Sequence, residues 1–254
     1  MPGQDYQAIF EQRGSRYDAA MRRYPLARQA EFEMITEPLR LAPGQRLADI
    51  PAGGGYLADY LPGHIERLSV EPATGFAAEM QATAGPGDQQ APLLCCPIHQ
   101  VPLADQSLDA IVSLAGLHHE PDRRRFYREA NRLLRPHGQL IIADGLAGSP
   151  VANFLNGFVD RYNPDGHQGD FLDEHDLVAI QQAGFSIDSS QTCQYHWRFP
   201  DSAAAVSFCR DLFGLGCDDA TLLAGLQHEL NLHAESQGWV LDWSLWRIVA
   251  HRPT

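Results

Sequence analysis

"LADIPAGGGYLADYL", residues 47–61, carries the strongest architectural signal in the sequence. An apolar run ends in Asp49, the glycines Gly53, Gly54 and Gly55 follow, and apolar residues at helical spacing resume at once. Glycine is costly to order and alone moves freely to positive φ. A triplet of them after a strand makes a tight strand-to-helix turn or lets a ligand reach bare backbone. In an open parallel sheet, ligands bind beyond the carboxyl ends of the strands, where Asp49 to Gly55 lies for the first strand. The Gly53–Gly55 N–H groups and the positive end of the following helix would face such a ligand. Glu71 ends the next strand at the ~20-residue spacing of an acid that accepts hydrogen bonds from ribose hydroxyls. A nucleoside site is therefore predicted. Gly53-x-Gly55-x-x-Ala58 also fits the dinucleotide fingerprint, but Asp49 would repel a pyrophosphate and would hold an ammonium group instead.

Outward from this stretch, strands and helices alternate. "RLADI", "RLSVE", "APLLCC", "LDAIVSLA" and "QLIIADG" read as five strands. Between them, "GYLADYL", "GFAAEMQATA" (closed by "GPGD") and "DRRRFYREANRLL" read as helices, the last ended by Pro136 and Gly138. That rhythm predicts an α/β, Rossmann-like doubly wound sheet, mostly parallel, with right-handed crossovers. Residues 4–40 read as helices, and 146–170, rich in Gly, Asn and Pro, as an irregular insertion. A helix "DEHDLVAIQQAG", a strand "FSIDSSQTCQYHW", two helices over 201–236 and a long strand "GWVLDWSLWRIVAHRP" complete the chain. The two late strands predict an antiparallel C-terminal edge pair. The expected organisation is one domain, 1–254: a helical cap 1–44, a core 45–145, the insertion 146–170, and a C-terminal half 171–254 with a helical excursion 201–236.

Composition narrows the function. The 254 residues are 44% apolar and 20% charged, with a net charge of −13. Such an acidic chain argues against nucleic acid or an anionic membrane as partner. Arg123, Arg124, Arg125 and Arg128 fall at helical spacing and read as a solvated helix side. All 19 basic residues are arginine, which excludes Schiff-base chemistry. Five cysteines without a C-x-x-C pair fit reduced thiols and a cytoplasmic location. No signal peptide is expected, and no run approaches the ~18 apolar residues of a membrane span.

"ADIPAGGGYLADYL", "LSVEPA" and "VPLADQSLDAIVSLAGLHHEPDRRRFYREANRLLRPHGQLIIADG" together resemble the class I S-adenosylmethionine-dependent methyltransferases, most of all the small-molecule group that includes the quinone-biosynthesis enzymes. The likeness is close over about residues 45–145. It implies S-adenosylmethionine as cofactor and a small-molecule acceptor, in a monomer or homodimer. Asp49, Pro51, Ala52, Gly53 and Gly55 would face the methionine part of the cofactor, Glu71 and Pro72 the ribose side, Pro97 and Ile98 the adenine, and Leu114 and Ala115 the sulfonium. Tyr17 and Arg16 lie in a helix that, in similar proteins, folds over the cofactor. Two departures stand out. Pro51 replaces the first glycine of D-x-G-x-G-x-G and removes an N–H donor; Cys96-Pro97-Ile98 stands where relatives often carry an adenine-binding Asp. A cofactor-binding protein without turnover, or a nicotinamide-dependent oxidoreductase, are the competing readings.

Methyl transfer from a sulfonium is an in-line displacement, helped by a general base only where the nucleophile must lose a proton. His118 and His119, after the fourth strand, and His167, in the exposed loop "RYNPDGHQGDF", are the candidate bases. Side chains of neighbours diverge, and the spacing of His228 and His233 misses one helical turn, so no metal site is predicted. Trp197, Trp239, Trp243 and Trp246 fall on the late strands, with Trp239 and Trp243 on one face and Trp246 on the other. The insertion and the helical excursion are expected to wall an enclosed acceptor pocket.

Overall fold

The computed structural model describes residues 6–76 and 92–254. The chain opens with two helices, α1 (Tyr6–Arg23) and α2 (Gln29–Thr36). Then β1 (Arg46–Asp49), β2 (Glu66–Val70), β3 (Leu93–Leu94), β4 (Leu108–Leu114) and β5 (Leu134–Asp144) build the sheet, with α3 (Arg123–Leu133) before β5. With β6 (Ser186–Phe199), β7 (His233–Glu235) and β8 (Gly238–His251), eight strands among the described residues pair in the order β3-β2-β1-β4-β5-β8-β6, with β7 on β8. The first five are parallel. β8 runs antiparallel to both β5 and the edge strand β6. The mostly parallel sheet with a late antiparallel pair is thus the predicted one.

Strand periodicity sorts the core into two layers. Leu47, Ala110, Val112 and Ile141 face α1, α2 and three later helices, meeting Met21, Phe32, Phe154, Phe208 and Leu222. Ala48, Ile111, Leu140 and Ile142 face the opposite layer, meeting Phe126, Tyr127 and Ala130 of α3 and Ile180. Trp243 joins the first layer and Trp246 the second, as period two requires.

Several elements differ from expectation. "GYLADYL" forms only a 3-10 turn, Tyr56–Tyr60, because left-handed Gly55 and then Pro62-Gly63 leave too few residues for an α-helix, and Leu57 alone is buried. The third strand shrinks to two half-buried residues, since Pro97 soon follows and cannot donate to a ladder. β5 starts directly after α3 and passes through Pro136 and Gly138, its register shifting between Leu108 and Ala110 of β4. The helix expected over 75–84 and its turn fall outside the described residues from 77 onward.

The largest difference lies in 146–170. Instead of an irregular insertion, a helix α4 begins at Pro150–Phe154, passes through a π-helical turn Leu155–Val159 and ends at Asp160–Tyr162. Ser149 caps it, accepting from the Ala152 N–H, with Pro150 in the first turn. The loop after it returns to β4, its Asp170 N–H donating to the His118 carbonyl at 2.8 Å. α5 (Glu174–Gln182), α6 (Ser202–Phe213) and α7 (Asp219–Leu230) follow, and β7 (His233–Glu235) adds a short strand inside the predicted helical excursion. Arg123 does not belong to a solvated face: it is half-buried and pairs with Asp176 at 2.9 Å. Among the described residues no helix is long and apolar enough to cross a membrane.

Candidate active site

β1 and β4 lie side by side, Asp49 opposite Val112, while the chain leaves them in opposite directions across the sheet. This is the switch point at which open α/β sheets bind ligands. A cavity of about 60 Å³ opens there, lined by Asp49, Pro51, Ala52, Gly53, Leu114, Ala115 and Gly116 from the strand ends. Tyr6, Phe10, Tyr17 and Arg28 close it from the N-terminal segment. A second cavity of about 170 Å³ shares Tyr6, Pro51 and Gly116 with the first and is lined further by Pro72, Pro97, Ile98, His99, His119 and Glu120. A Cβ at Gly116 would meet the Pro51 ring at 2.5 Å, so glycine there lets the two strand ends close together.

The glycine loop works differently from expectation. Gly53 and Gly55 have φ of 54° and 78°, the left-handed region. Their N–H groups are committed within the protein, Gly53 to Glu71 Oε2 at 2.7 Å and Gly55 to the Ala52 carbonyl at 2.9 Å. Gly55 lines neither cavity; it shapes the turn. Nothing stands within 4 Å of where a Gly53 side chain would project, so that backbone is approachable. With only a short 3-10 turn after the loop, there is no extended helix whose positive end could face a ligand.

Glu71 is fully buried behind Gly53. Besides the Gly53 N–H it accepts from the Ala73 N–H at 2.7 Å and from the Tyr6 hydroxyl at 2.9 Å. Burial pushes its carboxyl up to about 7 against the downward pull of those three donors. Burial, and then the Glu71 charge, hold the Asp49 carboxyl well above the usual carboxylate range. On the far side of the first cavity, Arg28 is 5% exposed and ion-paired with Glu31, donating also to the Tyr17 hydroxyl. Trp197 Nε1 donates to the same Glu31 at 2.7 Å.

Beyond Gly116 the three candidate histidines come together. The rings of His118 and His119 are 4.1 Å apart rather than divergent, because a 3-10 turn, Leu117–His119, folds both to one side. His167 is not exposed: the 163–173 loop packs it into the site at 6% exposure, 5.5 Å from His118 and 5.1 Å from His119. His118 Nδ1 is 2.7 Å from Asp144 Oδ1 at the end of β5. Burial alone would raise Asp144, but the His118 charge and the N–H donors of His118 and Gly145 outweigh it and hold its carboxyl low. Burial, then the His118 charge, lowers His119 well below its ordinary value and His167 to about 3, so both rings are neutral.

Four contributors escaped the sequence reading. Asp144 had a legible signal, an acid ending an apolar strand just as Asp49 does. Tyr6 and Arg28 were ordinary members of an amphipathic segment. Asn156, which holds His167 at 3.0 Å, sits on a helix that composition disguised as loop.

Residues 48–142 match a family described as a methyltransferase domain. The chain is 30% identical over 160 residues to O-methyltransferase rstn1 of Aspergillus nomiae, covering 60% of this chain and 69% of that one. It is 31% identical over 178 residues to 27-O-demethylrifamycin SV methyltransferase of Amycolatopsis mediterranei, covering 67% and 64%. Two other curated relatives, a YafE protein of Escherichia coli and methyltransferase GfsG of Streptomyces halstedii, are spanned over less than half of their length. A solved S-adenosylmethionine-dependent methyltransferase from Thermotoga maritima superposes with a TM-score of 0.64 at 17% identity, over 96% of this chain and 99% of that one, a likeness of fold. The sheet order, the matched core and a relative covered over more than two thirds of its length converge, and the chain belongs to the class I S-adenosylmethionine-dependent methyltransferases.

Proposed function

We propose that this chain binds S-adenosylmethionine across the paired cavities and transfers its methyl group to a small-molecule acceptor by in-line displacement. One observation carries the reading: the acids ending β1 and β2, Asp49 and Glu71, flank a glycine loop whose Gly53 is approachable, beneath an aromatic cap. The residues suit the cofactor. Asp49 has no ion-pair partner among the described residues, and an ammonium group beside it would restore its charge. Arg28, in the same cavity, offers a guanidinium to a carboxylate. Pro51, Ala52 and Gly53 would pack on the methionine part, Leu114 and Ala115 beside the sulfonium, Glu71 on the ribose, and Pro72, Pro97 and Ile98 against the base.

When bound, the sulfonium supplies an electrophilic methyl and a neutral thioether as leaving group. The protein's part is to hold the acceptor in line and exclude water, for which Phe10, Tyr17, Phe76 and Leu114 provide apolar walls. His118, His119 and His167 are the residues we assign to the acceptor and its proton. Tyr6 lines both cavities, so an outward shift of the first turn of α1 on binding would enlarge them toward the ~300 Å³ at which ligand pockets begin. One relative is named an O-methyltransferase and another for a demethylated rifamycin, which favours an oxygen on a small molecule as acceptor. The net charge of −13 weighs against nucleic acid. The exposed thiol of Cys95 suits a reducing, cytoplasmic compartment. We read the chain as one domain, with 1–44 as the cap over the 45–145 core.

A cofactor-binding protein without turnover is the second reading, favoured by Pro51 and Pro97, which remove backbone donors from the site. Incubating the protein with S-adenosylmethionine and a panel of hydroxyl, amine, carbon and thiol acceptors separates the two. Acceptor-dependent S-adenosylhomocysteine is the expected product. Tight cofactor binding with no product from any acceptor class would favour the second reading.

A further inference from the structure

Three imidazoles from two distant segments converge beside the cofactor cavities. One nitrogen from each of His118, His119 and His167 lies within 4.8 Å of the other two. Their ring centroids are 4.1, 5.1 and 5.5 Å apart. Three imidazoles on a tetrahedral ion, with metal–nitrogen distances of about 2.0–2.1 Å, hold their centroids about 5 Å apart. The His119–His167 and His118–His167 separations match that arrangement, and the His118–His119 pair reaches it by opening by about 1 Å.

Two of them are aimed from behind. His118 Nδ1 faces Asp144 Oδ1, leaving Nε2 as its outward nitrogen. The Asn156 amide is oriented by backbone, its Oδ1 accepting from the Gly169 N–H at 2.7 Å and its Nδ2 donating to the Gly169 carbonyl at 2.8 Å. The Asn156 oxygen therefore faces His167 Nδ1, which must carry the proton, and the lone pair sits on Nε2. A carboxylate or carbonyl oxygen behind the far nitrogen is how metal-ligating histidines are fixed in tautomer and direction. The loop also needs its glycine: a Cβ at Gly169 would come within 3.0 Å of His118 and 3.1 Å of His167.

We propose that His118, His119 and His167 bind a divalent transition-metal ion, zinc(II) being the type case, with a further position open to an oxygen ligand. An all-imidazole donor set suits zinc, cobalt, nickel or iron(II) and does not suit the oxygen-seeking magnesium or calcium. Three protein ligands leave one position free, the pattern of catalytic rather than structural zinc. The ion's role rests on the methyl-transfer reading; its binding does not. In that role the ion would lower the pKa of an acceptor hydroxyl held in its open position, so that the proton leaves to solvent as the acceptor binds, before the site closes. An oxygen lone pair then forms the O–CH₃ bond while the C–S bond breaks, both of its electrons staying on sulfur.

The test is to strip the full chain with chelator and titrate it with Zn²⁺ alone by calorimetry and with Co²⁺ by visible spectroscopy. One equivalent should bind with a dissociation constant in or below the micromolar range, and Co²⁺ should give the bands of a low-coordinate site that azide shifts. His167→Ala should weaken binding at least ~100-fold, and Asn156→Ala roughly 10- to 100-fold through lost orientation. His64→Ala, at the opposite end of the sheet, should change nothing, and thermal unfolding checks that each variant is folded. No stoichiometric binding by the wild type, or undiminished binding by folded His167→Ala, overturns the site. Cofactor affinity measured on the same protein reports separately on methyl transfer: protein that binds S-adenosylmethionine but not zinc overturns the metal site alone and leaves His118 with Asp144 as a direct base.

Discussion

Both oxygens of Glu71 are engaged, Oε1 by the Ala73 N–H and Oε2 by the Gly53 N–H and the Tyr6 hydroxyl. Its carboxyl, pushed up to about 7 by burial, is only half ionised near neutral pH. Ribose hydroxyls donate to the ionised form and so favour it. A ligand that lowers the pKa of an acid binds more tightly as pH rises through the value of the free protein. S-adenosylmethionine affinity should therefore rise about tenfold between about pH 6 and about pH 8, while Glu71→Gln, which cannot ionise, should bind weakly and show a flat profile. Calorimetry across that range checks both; an equal slope in the Gln variant would assign the effect to another group. Asp49 and Glu71 were legible as acids ending predicted strands, since an apolar run stopped by a carboxylate is a local pattern. The histidine cluster was not legible, because His167 reaches His118 only through the fold of a helix and loop far along the chain.

At the scale of elements, α1 is held at its middle and later turns by α6. Arg13 donates to the Leu212 carbonyl at 2.9 Å and Arg16 pairs with Asp211 at 3.1 Å. Its first two turns lean instead on the site, through Tyr6 on Glu71 and Phe10 on Phe76 at 5.0 Å. If the first turn yields to the cofactor, the Tyr6–Glu71 hydrogen bond is given up on binding. Tyr6→Phe removes the bond in advance, and at about 1 kcal/mol for such a bond it should tighten S-adenosylmethionine binding roughly fivefold at alkaline pH, where Glu71 is ionised in both proteins, and less near neutrality, where the lost donor also raises the Glu71 pKa. Weaker binding by the variant would mean that the hydroxyl contacts the ligand instead. The β-strands of the core could be read because they are buried on both faces and so appear as apolar runs. α4 could not: Gly157 and Asn156 in its π-helical turn mimic a loop, and only Ser149-Pro150 marks its start. Apolar spacing predicts too long a helix at "GYLADYL", since it says nothing of the left-handed Gly55 that confines the segment to a short 3-10 turn.

For the molecule as a whole, the sheet brings Asp49 and Asp144, which end β1 and β5, Glu71, just past β2, and the histidines after β4 to its carboxyl end, under a cap made by the first helices. We propose that this end of the sheet takes S-adenosylmethionine through Asp49 and Glu71. The decisive measurement is calorimetric titration of the full chain with S-adenosylmethionine, with NADPH as comparison ligand, repeated on Asp49→Ala. The wild type should bind one equivalent of S-adenosylmethionine and no NADPH, and folded Asp49→Ala should bind at least ~10-fold more weakly, the loss expected for one charge-assisted hydrogen bond of ~1.5–3 kcal/mol. No binding by the wild type, or an affinity unchanged by the loss of Asp49, would contradict the account.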